Sequence, residues 1–218
     1  KYDLKNELMR LGISGFHFEQ FTARVLTAEG YQCTTNDHVR GKLLMHEIDV
    51  SARKGAEYVM VECKHFSKPW LGCHVQTGLY VYARFLDVNK TFTAPMLATN
   101  TKFSPQVIAY AKGMKMTLMG WKYPEKESLE VRIEKTKTYP ITILRSLSAQ
   151  MLETCLKRRL IVLADLCTFS AASLGKLFGI HATKAEHILA EAHALSHGLS
   201  CAYSPDNKSM VCTSVLKN

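Results

Sequence analysis

The period of apolar and polar positions changes along the chain, and each change marks an element. Residues 4–12 carry a short helical pattern closed by Gly12. Residues 16–29 carry a stronger one: Phe18, Phe21, Val25 and Leu26 share one face, and Gly30 ends it. Glu19 sits beside this stripe near the helix start. Residues 31–35 are β-type. Over 47–52 the alternation is strict, with Ile48, Val50 and Ala52 opposing Glu47, Asp49 and Ser51. A polar turn at 53–57 leads to 58–64, where Val59, Val61 and Cys63 oppose Met60, Glu62 and Lys64. The two runs predict an antiparallel hairpin. Residues 74–85 read as a helix with Val75, Leu79 and Tyr82 on one face. Residues 96–99 form a short strand. Ser104 is an N-cap with Pro105 at the first helical position, and that helix runs to about Gly113. Residues 116–121 complete the series. The order α-β-β-β-α-β-α-β predicts an α/β fold, a mixed sheet flanked by helices.

The pattern shifts after Trp121. Residues 123–127 and 130–137 are charged and expected to be exposed. From Pro140 onward only helical periods appear, over 148–158, 160–166, 170–178 and 182–196, broken by Gly175, Gly179 and Gly198. The tail from Cys201 is a short β-like or irregular segment. At roughly 150 residues per domain, 218 residues allow a large domain with a small companion. The boundary falls between 1–138 and 139–218.

Composition narrows the class. Hydrophobic residues make up 47% and charged residues 22%, which excludes a disordered chain. The longest apolar runs fall far short of the roughly 20 residues of a membrane-spanning helix. Residues 1–5 lack the apolar core of a signal peptide. No membrane partner is expected. Lys and Arg number 28 against 19 Asp and Glu, a net charge of +9. Both parts share the excess: 20 against 14 in residues 1–138, and eight against five in 139–218. A polyanion partner is one expectation, nucleic acid ahead of a membrane surface, and a merely basic soluble protein is the other. Seven cysteines, an odd count with no C-x-x-C, argue against a disulfide scaffold or zinc ribbon and for a reducing cytoplasm. His193 and His197 lie four apart without a cysteine or carboxylate at metal-ligand spacing, so they read as a solvated helix face. His46 and His65, which flank the paired strands, are expected to be exposed, and Trp70 and Trp121 to serve packing.

One group of residues carries chemistry. Asp49 lies on the polar face of the first hairpin strand. Glu62 and Lys64, two apart, project from one face of its partner. Two carboxylates suit Mg2+, with Mn2+ as a substitute, and the backbone carbonyl of Cys63 between them is a candidate third ligand. A lysine beside the metal orients a water for attack on a phosphodiester. The acidic-x-Lys triplet also occurs at Asp3-Leu4-Lys5 and Asp206-Asn207-Lys208. Only the middle copy ends an apolar strand with an aspartate on the strand before it.

At these residues the sequence resembles the PD-(D/E)xK nuclease superfamily, in particular its Mrr-like restriction endonuclease branch. The matching stretches run in order. Phe16-His17-Phe18-Glu19-Gln20-Phe21 precedes Gly30-Tyr31; then come His46-Glu47-Ile48-Asp49-Val50 and Val61-Glu62-Cys63-Lys64-His65. Val75-Gln76, Leu79-Tyr80, Ala98-Thr99-Asn100 and Ala109-Tyr110-Ala111 follow. Ile48 stands where the superfamily pattern has proline. The resemblance covers about residues 14–121. It implies a restriction-endonuclease-like sheet and Mg2+-dependent cleavage of DNA of the restriction or defence type, often by a homodimer. It casts Asp49 and Glu62 as metal carboxylates, Lys64 as the catalytic lysine, Glu19 as the acidic residue of the first helix and Gln76 as the glutamine of the following helix. Related chains often carry a regulatory ATP-cone domain upstream. Nothing here matches one, and Lys1 is not a methionine, which fits an excised fragment. A structure-selective nuclease of the junction-resolvase kind and a non-catalytic DNA-binding module on the same fold are the competing functions.

The helical remainder resembles helix-hairpin-helix segments loosely, at 160–166 followed by 174–180; a purely structural cap explains it equally well. In the first case Arg145, Lys157, Arg158, Arg159 and Lys176 supply phosphate contacts, which position DNA without reading its sequence.

Overall fold

The computed structural model describes residues 3–12, 15–196, 199–204 and 209–214, the last two stretches as backbone. His197 lies outside them, and with it the His193–His197 pair. The chain divides into two compact units: Leu8–Thr136, and Lys137–Asn218 together with Lys1–Glu7.

After α1 (Leu4–Met9), the larger unit runs α2 (Phe16–Ala28), β1 (Gln32–Arg40), β2 (Met45–Lys54), β3 (Glu57–Lys64), β4 (Gly72–Cys73) and α3 (Val75–Val88). It continues with β5 (Ala94–Thr99), β6 (Lys102–Phe103), α4 (Pro105–Gly113), β7 (Thr117–Met119) and α5 (Leu129–Thr136). The main sheet has the order β1-β2-β3-β5-β7. Its first two pairings are antiparallel and its last two parallel. This is the mixed sheet flanked by helices that the sequence predicts. The centre of β3 and nearly all of β5 are buried, as strands covered on both faces must be. α2 packs on β1, β2 and β3, and α3 packs against α4. Ser104 caps α4 as expected, its hydroxyl accepting the Val107 N–H at 3.3 Å, with Pro105 opening the helix.

The β2 alternation does not hold through Asp49. The β1–β2 register runs unshifted from Thr35↔Val50 to Asp37↔Ile48 across Asn36 and Asp49, whereas the β2–β3 register stops at Val50↔Val61. Asn36 adopts a left-handed φ of 54° at this point. Ile48 consequently joins the cluster of Met60, Val81 and Leu97, which does not include its expected face-mate Val50. The ladder opens at the residue that carries the candidate carboxylate.

Other expectations are corrected. The buried stripe of α3 is Gly78, Val81 and Val88, while Leu79 is exposed, because the helix turns its glycine toward Tyr110 of α4. Residues 130–137, expected only to be charged and exposed, are largely the helix α5, which buries Leu129 and Ile133 while Glu134, Lys135 and Lys137 stay exposed. Trp121 is buried as expected, but Trp70 is 66% exposed beneath the Lys68 ammonium.

The second unit has a 3-10 turn at Ile141–Ile143, then α6 (Ala149–Lys157), α7 (Leu163–Leu166), α8 (Ala171–Phe178) and α9 (Ala182–Ser196). It ends in the antiparallel pair β8 (Leu199–Ser204) and β9 (Ser209–Ser214). Buried Glu191 of α9 accepts the backbone N–H groups of Arg145 and Ser146 at 3.0 and 3.1 Å. Asp165 does the same for Ile161 and Val162, at 2.8 and 3.1 Å. These bonds satisfy backbone donors ahead of α6 and α7. Among the described residues no helix is long and apolar enough to cross a membrane.

Candidate active site

The open ladder leaves the half-buried Asp49 carboxylate free to turn toward β3, where its Oδ2 accepts the Cys63 N–H at 2.7 Å. That bond takes the place of the strand pairing that ended one residue earlier. Glu62 and Lys64 follow on β3, on one face as the alternation predicts. The Glu62 side chain is 6% exposed, with Oε1 3.0 Å from Lys64 Nζ. Its Oε2 binds the Arg84 guanidinium. The Lys64 backbone is fixed in turn: its carbonyl accepts the Thr99 hydroxyl at 2.7 Å. Just beyond, the Asn100 amide bonds both backbone groups of Phe66, at 2.8 and 2.7 Å, and holds the chain leaving the site.

Glu19 enters from the first turn of α2. Asn36, at the kink of β1, donates to Glu19 at 3.4 Å and to Glu47 at 3.1 Å. Burial, then the charge of Asp49, pushes the Glu19 pKa up to about 7. Burial, then the charge of Glu62, pushes Asp49 up to about 6. For Lys64, burial alone would lower the pKa. The hydrogen bond and charge of Glu62 and the charge of Asp49 outweigh it and hold the pKa above the ordinary lysine value. Lys64 is therefore an ammonium, a donor rather than a base.

Sequence reasoning missed Arg84. Its side chain comes from the middle of α3 and bridges Glu62 to the Glu47 carbonyl. Its guanidinium also lies 5.4 Å from the Tyr80 ring centroid. The available signal was a single arginine in a helix otherwise free of charge from Val75 to Phe85. Asp87, near the end of the same helix, was missed as well. It accepts the N–H groups of Leu43 and Leu44 and bonds the His46 ring at 2.8 Å, holding the β1–β2 loop against α3. Neither flanking histidine is exposed. His46 is locked to Asp87, and His65 lies against Phe18 with its Nε2 3.1 Å from the Leu8 carbonyl.

These groups surround a cavity of about 770 Å³ lined by Glu19, Glu47, Asp49, Glu62, Tyr80 and Arg84, with the tip of the β1–β2 loop at its rim. The structure thus brings together Glu19, Asp49, Glu62 and Lys64. It leaves Gln76 exposed at the start of α3 and outside the cavity lining. Arg145, Lys157, Arg158, Arg159 and Lys176 are exposed on the other unit, before α6, at its end, and on α8. Lys157 pairs with Glu153 at 2.7 Å.

Among the described residues no group of three or more His, Cys, Asp and Glu side chains is arranged as a metal cage. What the site offers is oxygen: Asp49 and Glu62, with Cys63 between Glu62 and Lys64 in the chain. The carboxyls of Asp49 and Glu19 hold their protons more tightly than usual, partly because like charges crowd there. Such a donor set fits a hard divalent cation, whose charge would relieve the crowding. Both Glu62 oxygens are engaged, so a cation there would exchange with Lys64 or Arg84.

Residues 10–122 match the family model for restriction endonuclease of the Mrr catalytic type. Residues 139–196 match the family model described as AF1548-like, C-terminal. An uncharacterized protein of Archaeoglobus fulgidus is 41% identical over 175 residues, spanning 78% of this chain and 97% of that protein. The crystal structure of a protein of unknown function, AF1548, superposes with a TM-score of 0.71 at 37% identity, covering 85% of this chain and all of that one.

Proposed function

Because the chain belongs to the Mrr-type restriction endonuclease family of PD-(D/E)xK nucleases, we propose that it is a Mg2+-dependent endonuclease that hydrolyses phosphodiester bonds in DNA. We assign the nuclease domain to residues 1–138 and the companion region to 139–218, a division by sequence that differs from the compact units only in Lys1–Glu7 and in residues 137–138. The observation that carries the reading is the convergence of Asp49, Glu62 and Glu19 on one cavity at an opened strand, with the Lys64 ammonium bonded to Glu62 beside it.

Asp49 and Glu62 would hold the cation, with the Cys63 carbonyl as a third oxygen. When bound, the cation supplies positive charge against the charge that develops on the phosphate and makes water more acidic. The remaining work falls to the chain. Lys64, charged and partly exposed, donates a hydrogen bond to the attacking water and so fixes its direction. Its charge also opposes the negative charge of the transition state. Glu19, with a pKa near neutrality, is suited to receive a proton at working pH. Arg84 is a positioning residue. It neutralises Glu62 in the resting site and ties it to the β2 backbone, so the carboxylate keeps one orientation.

The test is nicking of supercoiled plasmid. The purified chain should nick with Mg2+ or Mn2+ and stop when EDTA is added. Binding without nicking at any divalent metal would overturn the reading in favour of a non-catalytic DNA-binding module.

A further inference from the structure

The second unit carries a corner that the nuclease site does not use. α8 and α9 are joined by three residues, Gly179, Ile180 and His181. Gly179 caps α8 at φ 65° and ψ 38°, the left-handed region that glycine enters without a Cβ clash. Four positions earlier, a Cβ on buried Gly175 would stand 3.0 Å from the Ile180 carbonyl oxygen, so the turn folds down where only a small residue fits. Leu174, Ala185 and Ile188 are fully buried. Phe178 and Ile180 are half-buried around them. The close fit of the turn over Gly175 and the apolar residues on the facing sides pack the two helices as a tight corner with the form of a helix-turn-helix.

Two further features indicate what the corner holds. Directly after α9 the chain forms the β8–β9 hairpin, paired from Leu199↔Ser214 to Ser204↔Ser209 and packed on α9. A helix-turn-helix followed at once by an antiparallel hairpin has the order of a winged DNA-binding unit. The outward stripe of α9 is Thr183, Glu186, His187 and Ala190, spaced i, i+3, i+4 and i+7 and all exposed. Three can exchange hydrogen bonds with base edges and the fourth can meet a thymine methyl. Lys184 of α9 and Lys176 of α8 flank the stripe, both exposed. Residues 139–218 carry eight Lys and Arg against five Asp and Glu, complementary to a polyanion. An α-helix about 10–12 Å across fits the major groove of B-form DNA, whereas the major groove of an RNA duplex is too deep and narrow to read.

We propose that α8, α9 and the β8–β9 hairpin form a winged helix-turn-helix that lays α9 in the major groove of double-stranded DNA. Thr183, Glu186, His187 and Ala190 face the base edges, and Lys176 and Lys184 contact flanking phosphates. This goes beyond the nuclease reading and is independent of it. The site lies in the other unit, and its readout is sequence preference rather than cleavage.

The test uses the full chain in EDTA, where the nuclease reading predicts no cleavage. Selection from a randomised pool of DNA duplexes should enrich a common motif. Anisotropy titrations should then show preference for the selected duplex over a scrambled one and over the RNA duplex of the same sequence. The triple variant Thr183→Ala, Glu186→Ala, His187→Ala should lose about 10-fold to 100-fold of that preference while keeping its salt slope. Lys176→Ala with Lys184→Ala should weaken all duplexes and lower the salt slope by about 1.8, roughly 0.9 per phosphate contact. All five positions are exposed, so the variants should keep the wild-type unfolding midpoint. Should the triple variant melt early, His187→Ala alone replaces it. A triple variant with undiminished preference, no enriched motif, or equal affinity for duplex RNA would each overturn the proposal. An inactive nuclease that still selects a motif would leave it standing.

Discussion

Removing the charge of Asp49 should stabilise the metal-free protein at neutral pH. Burial and the neighbouring Glu62 raise this carboxyl from 3.8 to about 6. Between roughly pH 4 and pH 6 the native state keeps a proton that the unfolded chain releases. Stability therefore falls as pH rises through that window, and the full cost stands above it. At about 1.36 kcal/mol per unit, the displacement amounts to about 3 kcal/mol. Asp49→Asn abolishes that cost but keeps the shape, and its amide oxygen still accepts the Cys63 N–H now held at 2.7 Å. The neutral acceptor forms a weaker bond, a loss of about 1 kcal/mol. The net gain is about 2 kcal/mol, or about 4–8 °C in Tm for a chain of this size. The assay is thermal unfolding by circular dichroism in EDTA at pH 4, 6 and 8. The variant should melt above wild type at pH 8, and the gap should close toward pH 4, where native Asp49 is already protonated. Mg2+ should then stabilise wild type more than the variant. A variant no more stable than wild type at pH 8, or a gap that does not change with pH, would refute the electrostatic reasoning.

Arg84→Ala should cost about 3 kcal/mol, because it removes one of two cations from the buried Glu62 carboxylate; a denaturant titration measures it. With Mg2+ too dilute to fill the site, the nicking rate should rise with pH toward about 6 to 7, as Asp49 and Glu19 lose protons and become able to hold a cation and accept a proton, and saturating Mg2+ should move the rise to lower pH. In Glu19→Gln the upper part of that rise should vanish from the pH–rate profile; an unchanged profile would remove Glu19 from the chemistry. Charge reversal at Arg158 and Arg159 should weaken duplex DNA binding across all sequences and lower its salt dependence in a titration over ionic strength. Unchanged affinity and slope would leave the end of α6 as a structural cap.

The parts legible in the sequence were those whose signals are local. Ser104-Pro105 announces α4, Gly30 ends the region of α2, and alternation through 58–64 places Glu62 and Lys64 on one face of a strand. The candidate triad could be named because an acidic-x-Lys triplet ended such a strand and an aspartate lay on the one before. What remained hidden depends on the tertiary structure. Arg84 meets Glu62 only because α3 returns across the strand, 22 positions later in the chain. Alternation has no means of showing that the β2–β3 ladder stops before Asp49, or that Asn36 on the other neighbouring strand is left-handed at this point. β1 runs to Arg40 through Asn36, Asp37 and His38, polar residues that give an edge strand no period. In α5 only Leu129 and Ile133 are buried among charges, too sparse a stripe to announce a helix. Leu79, an apolar residue in an apolar helix, draws the face of α3 the wrong way, whereas the glycine before it marks the closer packing.

The central claim is that Asp49 and Glu62 hold the cation while Lys64 acts on the water, and Lys64→Ala separates the two roles. Calorimetric Mg2+ titration and plasmid nicking should be run side by side on wild type and this variant, across Mg2+ concentration. Both carboxylates remain in the variant, so it should still bind Mg2+. Its nicking rate should fall about 10²–10⁴-fold and stay there however much Mg2+ is added. A Lys64→Ala protein that nicks at the wild-type rate, or regains that rate with excess Mg2+, would contradict the account.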